Sequence, residues 1–260
     1  MMVIKNDRTG EKVINNQGSE MIIVEYRRYN DIDVHFPQYN WIAKNKNYNN
    51  FKKGRIKYPY ERSICGIGYL GEGEYKATEN GEITRVYNVW SGMLQRCYSE
   101  KLHRKESTYK DCSANEEWHN FQSFGEWDKD VYYEVEDERM ELDKDILFKG
   151  NKIYSPENCI YVPQTINILF TKSDKTRGNS VIGTYRYKNG KYQARCCMIN
   201  PETRKSKQEY LGYYNTEQEA FEVYKYYKEK NIKQIADYYK GRIPDKLYDG
   251  LYRYEVEITD

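Results

Sequence analysis

The sequence has none of the marks of a membrane or secreted protein. No stretch approaches the roughly 20 apolar residues that a membrane-spanning helix requires, and residues 1–10 contain no apolar core of a signal peptide. The six cysteines include no C-x-x-C pair, the spacing by which zinc clusters are recognised. These absences predict a soluble, cytoplasmic protein with no membrane partner. They favour reduced, mostly buried thiols over a structural zinc held by Cys97, Cys112, Cys159 and His119.

Apolar residues and charge of one sign are also scarce. Hydrophobic residues make up 38% of the chain and the net charge is only +2, yet 29 Tyr and 4 Trp supply large side chains that can be half buried. This composition argues against disorder. Domains usually run to about 100–150 residues, so a chain of 260 residues is long enough for two or three compact units.

The small net charge is the sum of two unlike segments. Residues 111–145 contain 13 Asp and Glu against 3 Lys and Arg, a balance of −10. Residues 183–212 contain 7 basic and 2 acidic residues, a balance of +5, interleaved with Tyr. The basic segment has the composition that phosphate neutralisation and stacking on bases require, whereas the acidic one repels DNA unless it faces away or binds cations. The alternative is that both are solvated faces.

Periodicity predicts the elements of the first half. Residues 8–60 alternate between polar and apolar side chains, which indicates a small β-rich module, assigned to residues 1–76. The glycine-rich segment 66–73 is interpreted as a turn or linker. Residues 87–98 have one apolar face at helical spacing, and an aromatic stripe follows at three-residue intervals. We expect this stripe to be core: Trp118, Phe121, Phe124 and Trp127.

Residues 142–170 predict a strand, a loop, a second strand and a helix opened by Pro163. The segments 142–146, 150–152 and 156–167 resemble the ββα-metal finger of HNH homing endonucleases (the His-Me finger). That family pairs an Asn after the loop with a helix Asn nine positions on, as Asn158 and Asn167 are here. The wider chain, including Trp90, Met93 and residues 96–98, is similar to phage-encoded HNH-like proteins of low-GC Gram-positive hosts, which implies a bacterial host cell.

The resemblance implies roles for four residues. Asp143 and Asn167 would be the ligands of one divalent cation, Mg²⁺ or Mn²⁺, and Asn158 would orient the general base. Lys144 stands where the family has that base, a His, and an ammonium with an ordinary pKa near 10.4 cannot accept a proton at neutral pH. A Lys here can instead bind the scissile phosphate, so whether the finger cuts DNA stays open. His103 and His119 remain as substitute bases, although the motif places neither of them.

The last 80 residues predict a second module. Segments 182–188, 190–195 and 207–214 are interpreted as three strands, and Thr216 as the cap of a helix that begins at Glu217. Gly183, residues 190–195, Leu211–Gly212 and residues 219–221 resemble the ethylene-response-factor DNA-binding domain of plants. That family places its sheet in the major groove. By position the resemblance nominates these DNA-binding residues: Tyr185, Arg186, Lys188, Lys191, Tyr192, Arg195 and Tyr210.

The sequence as a whole predicts an α+β protein of three modules, at residues 1–76, 77–172 and 178–260. The expected function is that of a double-stranded-DNA-binding phage protein of the HNH homing endonuclease type, a hydrolase if the finger nicks DNA. Two alternatives remain. One is an inactive DNA-binding or regulatory protein, and the other is an effector that binds a host defence protein through its acidic segment. Small basic sheets such as the predicted C-terminal one also bind RNA or protein, so a sheet without a DNA role is a further alternative.

Overall fold

A computed structural model describes residues 7–171, 180–187 and 190–260. It contains helices and several small, mostly antiparallel sheets, which confirms the α+β class. Among the described residues, no helix combines the length and apolar character needed to cross a bilayer.

Contacts along the chain define two compact units. The first comprises the described residues up to Ser99 together with Glu116–Gly125, and the second comprises Glu100–Asn115 and Glu126–Asp260. These ranges differ from the three predicted modules. Because contacts within the folded chain do not report whether a segment folds alone, the three modules stay a prediction.

The first unit contains a four-stranded antiparallel sheet and a helical core. Alternating apolar side chains build the sheet because successive residues of a strand point to opposite faces. Met21, Ile23, Ile32, Val34 and Phe36 are fully buried on one face. The sheet strands pair in chain order, and the first helix and a two-residue hairpin follow: β1 (Lys12–Ile14), β2 (Glu20–Arg28), β3 (Asp31–Phe36), β4 (Trp41–Lys46), α1 (Tyr48–Lys52), β5 (Thr78–Glu79) and β6 (Glu82–Ile83).

Charged side chains cluster around Arg27 at the end of β2. One guanidinium nitrogen lies 2.7 Å from Glu25 Oε2, and the other lies 2.8 Å from Asp31 Oδ1 and 2.6 Å from Asp33 Oδ1. Hydrogen bonds from Arg27 hold the pKa of both aspartates below its usual range. Arg27 is therefore neutralised within its own sheet.

The helical core of the first unit forms around α2 (Arg85–Tyr98), which Thr84 caps by accepting the Tyr87 N–H. Trp90 is fully buried, and its indole N–H donates to the Trp118 carbonyl over 2.7 Å. Phe121 and Phe124, at the start of α4 (Phe121–Val131), are buried as well. The predicted aromatic stripe is thus core through Phe124.

The second unit contains residues 142–167, which we call the finger segment after the resemblance described above. Here β8 (Met140–Asp143) pairs antiparallel with β10 (Ile160–Pro163) in the register Ile160 to Asp143, and α5 (Gln164–Leu169) follows directly. The same unit contains a parallel pair of two-residue strands, β7 (Ser113–Ala114) with β9 (Ile153–Tyr154), and α3 (Glu100–His103) precedes β7 in the chain. Pro163 stands at the cap of α5, where its missing N–H costs nothing. Two strands and a helix therefore stand where the sequence predicts them.

The C-terminal part is a three-stranded antiparallel sheet with a helix against it: β11 (Thr184–Arg186), β12 (Tyr192–Ile199), β13 (Ser206–Tyr214), α6 (Glu217–Tyr239) and a last helix α7 (Asp245–Arg253). Thr216 caps α6, as predicted, and it also forms a reciprocal capping box with Glu219. Cys196 packs against Phe221 and Tyr224 of this helix. We call the sheet face opposite α6 the outer face.

Candidate functional site

Three predicted DNA-binding residues lie together on the outer face. Arg195 of β12 pairs directly with Tyr210 of β13, and Tyr185 of β11 pairs with Gln193. Gln193 and Arg195 point to the same side because side chains two apart on a strand share a face. The register therefore brings Tyr185, Arg195 and Tyr210, one from each strand, onto a single surface.

The Arg195 guanidinium lies between two tyrosine rings. Its central carbon is 4.6 Å from the Tyr185 ring centroid and 5.1 Å from that of Tyr210. Its Nε donates to Gln193 Oε1 over 2.5 Å. Within the described ranges Arg195 forms no ion pair. Cation–π contacts and one neutral hydrogen bond thus fix this side chain without neutralising its charge.

The other predicted sheet residues are placed differently. Arg186 pairs with Tyr192, and strand alternation puts this pair on the opposite side from Tyr185. Lys191 is exposed in the connection between β11 and β12. Lys188 lies outside the described residues. Of the seven nominated residues, the structure therefore groups three on the outer face.

The sequence analysis missed two tyrosines of the outer face. Tyr213 pairs with Gln193, and its ring centroid lies 4.9 Å from that of Tyr187. Tyr187 is 48% exposed and Tyr213 is 50% exposed. Alternation from Tyr185 predicts Tyr187. The position of Tyr213 on the same face as Tyr210 results from a register shift. Ala194 pairs with Gly212 and Arg195 pairs with Tyr210, which leaves Leu211 as an extra residue in β13.

Gly183 has a packing role that supports this face. A Cβ at Gly183 would lie 2.1 Å from the Tyr224 ring of α6, so no larger residue fits. Its carbonyl accepts the Arg195 N–H over 2.9 Å. The glycine thereby lets the chain before β11 approach both the helix and the central strand.

In the finger segment, Asp143 ends β8 and folds back onto the following turn. Its Oδ1 accepts the N–H groups of Asp145 at 2.9 Å and Ile146 at 2.7 Å. Burial, and then the nearby Asp145 carboxylate, raise the pKa of Asp143 to about 6, although the two N–H donors act in the other direction. The charge of this carboxylate is therefore only partly compensated.

Lys144 is buried beside Asp145. Its Nζ lies 3.0 Å from Asp145 Oδ2 and 5.8 Å from the centroid of the Tyr154 ring. Burial lowers the pKa of Lys144, but the Asp145 charge and hydrogen bond outweigh it, so the pKa is raised above its ordinary value. Lys144 carries a proton at neutral pH and is unsuited to be a general base.

Asn158 reaches the Lys144 segment through a second amide. The Asn158 Nδ2 donates to Asn151 Oδ1 over 3.3 Å, and the Asn151 Nδ2 donates to the Lys144 carbonyl over 2.7 Å. Asn158 is therefore placed to position the loop. Asn151, to which the sequence analysis assigned no role, makes the direct contact. The signal that could have identified it is its position directly after Gly150, in the loop segment that resembles the HNH family.

The donor atoms at Asp143 and Asn167 suit a hard cation. Asn167 is half buried on α5. A carboxylate oxygen and a carboxamide oxygen are ligands that Mg²⁺ and Mn²⁺ accept, with water completing the shell. The residue types therefore fit the predicted cation. Over the described part of the chain, no group of three or more His, Cys, Asp and Glu is placed to hold a metal, which gives no support to the alternative zinc set.

The predicted substitute base His119 has a partner. Its Nε2 lies 3.3 Å from the Tyr98 hydroxyl, within the first unit.

No protein-family model, curated protein or solved structure matches this chain. The two resemblances therefore rest on the quoted residues alone.

Proposed function

We propose that this chain binds double-stranded DNA through the outer face of its C-terminal sheet. The observation that carries the proposal is Arg195, a charged guanidinium fixed between Tyr185 and Tyr210 with no carboxylate partner among the described residues. A preorganised arginine loses little entropy when it donates to a phosphate or a base edge. Exposed tyrosines beside it supply hydroxyl donors and apolar contact area.

The proposal extends to the finger, which we assign to the HNH homing endonuclease type in a phage-encoded protein. Asp143 and Asn167 would hold Mg²⁺ or Mn²⁺, which when bound supplies charge stabilisation to a leaving oxygen. Lys144 stays protonated and buried beside Asp145, which neutralises its charge within the chain. A water nucleophile therefore has no base among the residues of the motif.

For this reason a DNA-binding protein that does not cut is the second candidate function. The ion pair between Lys144 and Asp145 favours it over nicking, because it keeps the proton on Nζ. Lys144→His would supply a group that can accept a proton near neutral pH.

Binding and nicking of a plasmid and of short duplexes test both candidates, with Mg²⁺, Mn²⁺ or EDTA. We expect duplex binding by the intact chain and by Asp143→Asn, and no nicking by the intact chain. Nicking that Asp143→Asn abolishes would show an enzyme. Nicking gained by Lys144→His would show a finger that has lost its base. Absence of duplex binding would overturn the proposal and turn attention to a protein partner, tested by binding that survives high salt.

A further inference from the structure

The first unit contains a cavity of about 560 Å³. Its lining comes from β4, from residues 57–59 and 70–78 and from Gln122 of α4. Small-molecule sites usually have volumes of about 300–1,000 Å³. The cavity is a wide, open cleft whose volume is enough to hold a small ligand.

One wall is the glycine-rich segment, which is fixed rather than loose. The buried Gln122 accepts the Tyr75 N–H over 3.0 Å and donates to the carbonyls of Leu70 at 3.0 Å and Tyr75 at 3.1 Å. A Cβ at Gly73 would lie 2.3 Å from Gln122 Oε1, so a larger residue here would displace the Gln122 side chain. The glycine-rich segment, interpreted above as a turn or linker, is therefore held in a fixed conformation along one side of the cavity.

The charge of the lining is unbalanced. Lys46, Lys57 and Lys76 all line the cavity, and over residues 7–171, 180–187 and 190–260 none of them forms an ion pair. The one lining carboxylate, Glu72, accepts the Trp41 indole N–H over 3.3 Å. Among the lining side chains, three ammonium groups against one carboxylate leave a charge of +2. The carboxylate of Glu61 interacts with Lys57 and offsets part of it, and the remaining positive charge attracts an anion to a concave site.

Aromatic residues line the same space. Trp41 and Tyr75 both contribute to its wall, and aromatic side chains contact bases with little dependence on their identity. We infer that the cavity binds a nucleoside phosphate, with its phosphate groups at the lysines and its base at the aromatic wall. This site belongs to the first unit and does not depend on DNA binding by the C-terminal sheet.

Isothermal titration of the full chain with AMP, ADP and pyrophosphate tests the inference. EDTA is included so that a cation at the finger contributes nothing. We expect ADP to bind more tightly than pyrophosphate, which has no base. Lys57→Gln and Lys76→Gln should each weaken ADP binding by about tenfold, the usual effect of losing one charge-assisted hydrogen bond. Lys53→Gln is the matched control, because Lys53 is exposed and lies outside the lining.

Three results would overturn the inference. The first is no saturable binding of ADP at millimolar concentration. The second is equal loss of affinity in Lys53→Gln and Lys57→Gln, which would indicate general surface charge. The third is weakened duplex binding in Lys57→Gln without any nucleotide binding, which would make the lysines a DNA contact instead. Both variants replace exposed side chains, and their melting temperatures show whether they fold.

Discussion

Two arginines on antiparallel sheets, Arg27 in the first unit and Arg195 in the second, are held by opposite kinds of partner. Arg27 lies within 2.8 Å of oxygens from three carboxylates. Arg195 is held by two tyrosine rings and a glutamine amide. Both side chains are ordered, but only Arg195 retains an uncompensated charge. The comparison teaches that the charge of the neighbours decides whether an arginine stabilises its own sheet or remains available to a ligand.

The largest expected effect is on DNA affinity. Arg195→Ala should weaken duplex binding by about 1–3 kcal/mol, which is about fivefold to 150-fold in Kd, because it removes a bidentate donor. Arg27→Ala should leave the Kd unchanged and lower the melting temperature. Fluorescence anisotropy at fixed salt, with a melting curve for each variant, measures both. Equal losses of affinity in the two variants would break the comparison.

The carboxylates around Arg27 predict a pH dependence. Because Asp31 and Asp33 have lowered pKa values in the folded state, their stabilising contribution is present above their ordinary pKa and is lost as the pH falls through the folded value. Arg27→Gln should therefore lower the melting temperature more at pH 7 than in acid, below both pKa values. A difference from the native chain that does not change with pH would contradict the ion-pair role.

A smaller effect is expected at the rings that flank Arg195. Tyr210→Ala should weaken duplex binding by about 1 kcal/mol, roughly fivefold, because the guanidinium loses one flanking ring and with it a contact surface. Tyr210→Phe keeps the ring and is the matched control, which should bind almost as the native chain does. If the two variants are equally impaired, the hydroxyl rather than the ring is the important group.

Chemical labelling of cysteines tests whether DNA covers the outer face, and it requires no substitution in the sheet. Cys197 is exposed, two residues after Arg195 and on the same outer face, whereas burial raises the pKa of Cys196 to about 11. Iodoacetamide at pH 8 should label Cys197 and spare Cys196. Duplex DNA should slow labelling of Cys197 severalfold and leave the exposed Cys65 of the first unit unaffected. Peptide mass spectrometry follows both rates, and protection of Cys65 alone would place DNA elsewhere.

The smallest effect is expected at Lys144, a third cation and one that is neutralised like Arg27. Asp145 is 45% exposed, so water can solvate it when the ammonium is removed. Lys144→Met should therefore change the free energy of unfolding by about 1 kcal/mol and leave duplex affinity within twofold, roughly the error of the assay. Urea denaturation checks the first value. Any nicking by the native chain that Lys144→Met abolishes would restore a catalytic role to this residue.

Much of the local structure could be predicted from the sequence. Alternation located the first sheet, the aromatic stripe located the core around Trp118, and Thr216 marked the start of α6. These signals involve residues close in the chain, so short-range geometry is enough to interpret them. The last helix, α7, was missed. The extent of β12, which runs to Ile199 instead of Arg195, was underestimated because pairing with β13 extends it.

The amino-acid sequence alone determined which residue types stand at which positions: the Arg and Tyr of the basic segment, the Asp143–Lys144 pair and the glycines at 66–73. Only the tertiary structure decided their partners. The extra residue Leu211 puts Tyr210 and Tyr213, three apart in sequence, on one face, and Asp145 keeps the proton on Lys144. Gln122, 47 residues from Tyr75, turns a glycine-rich loop into a wall. The physical reason is that a side chain's charge state and direction depend on neighbours that folding brings from distant positions.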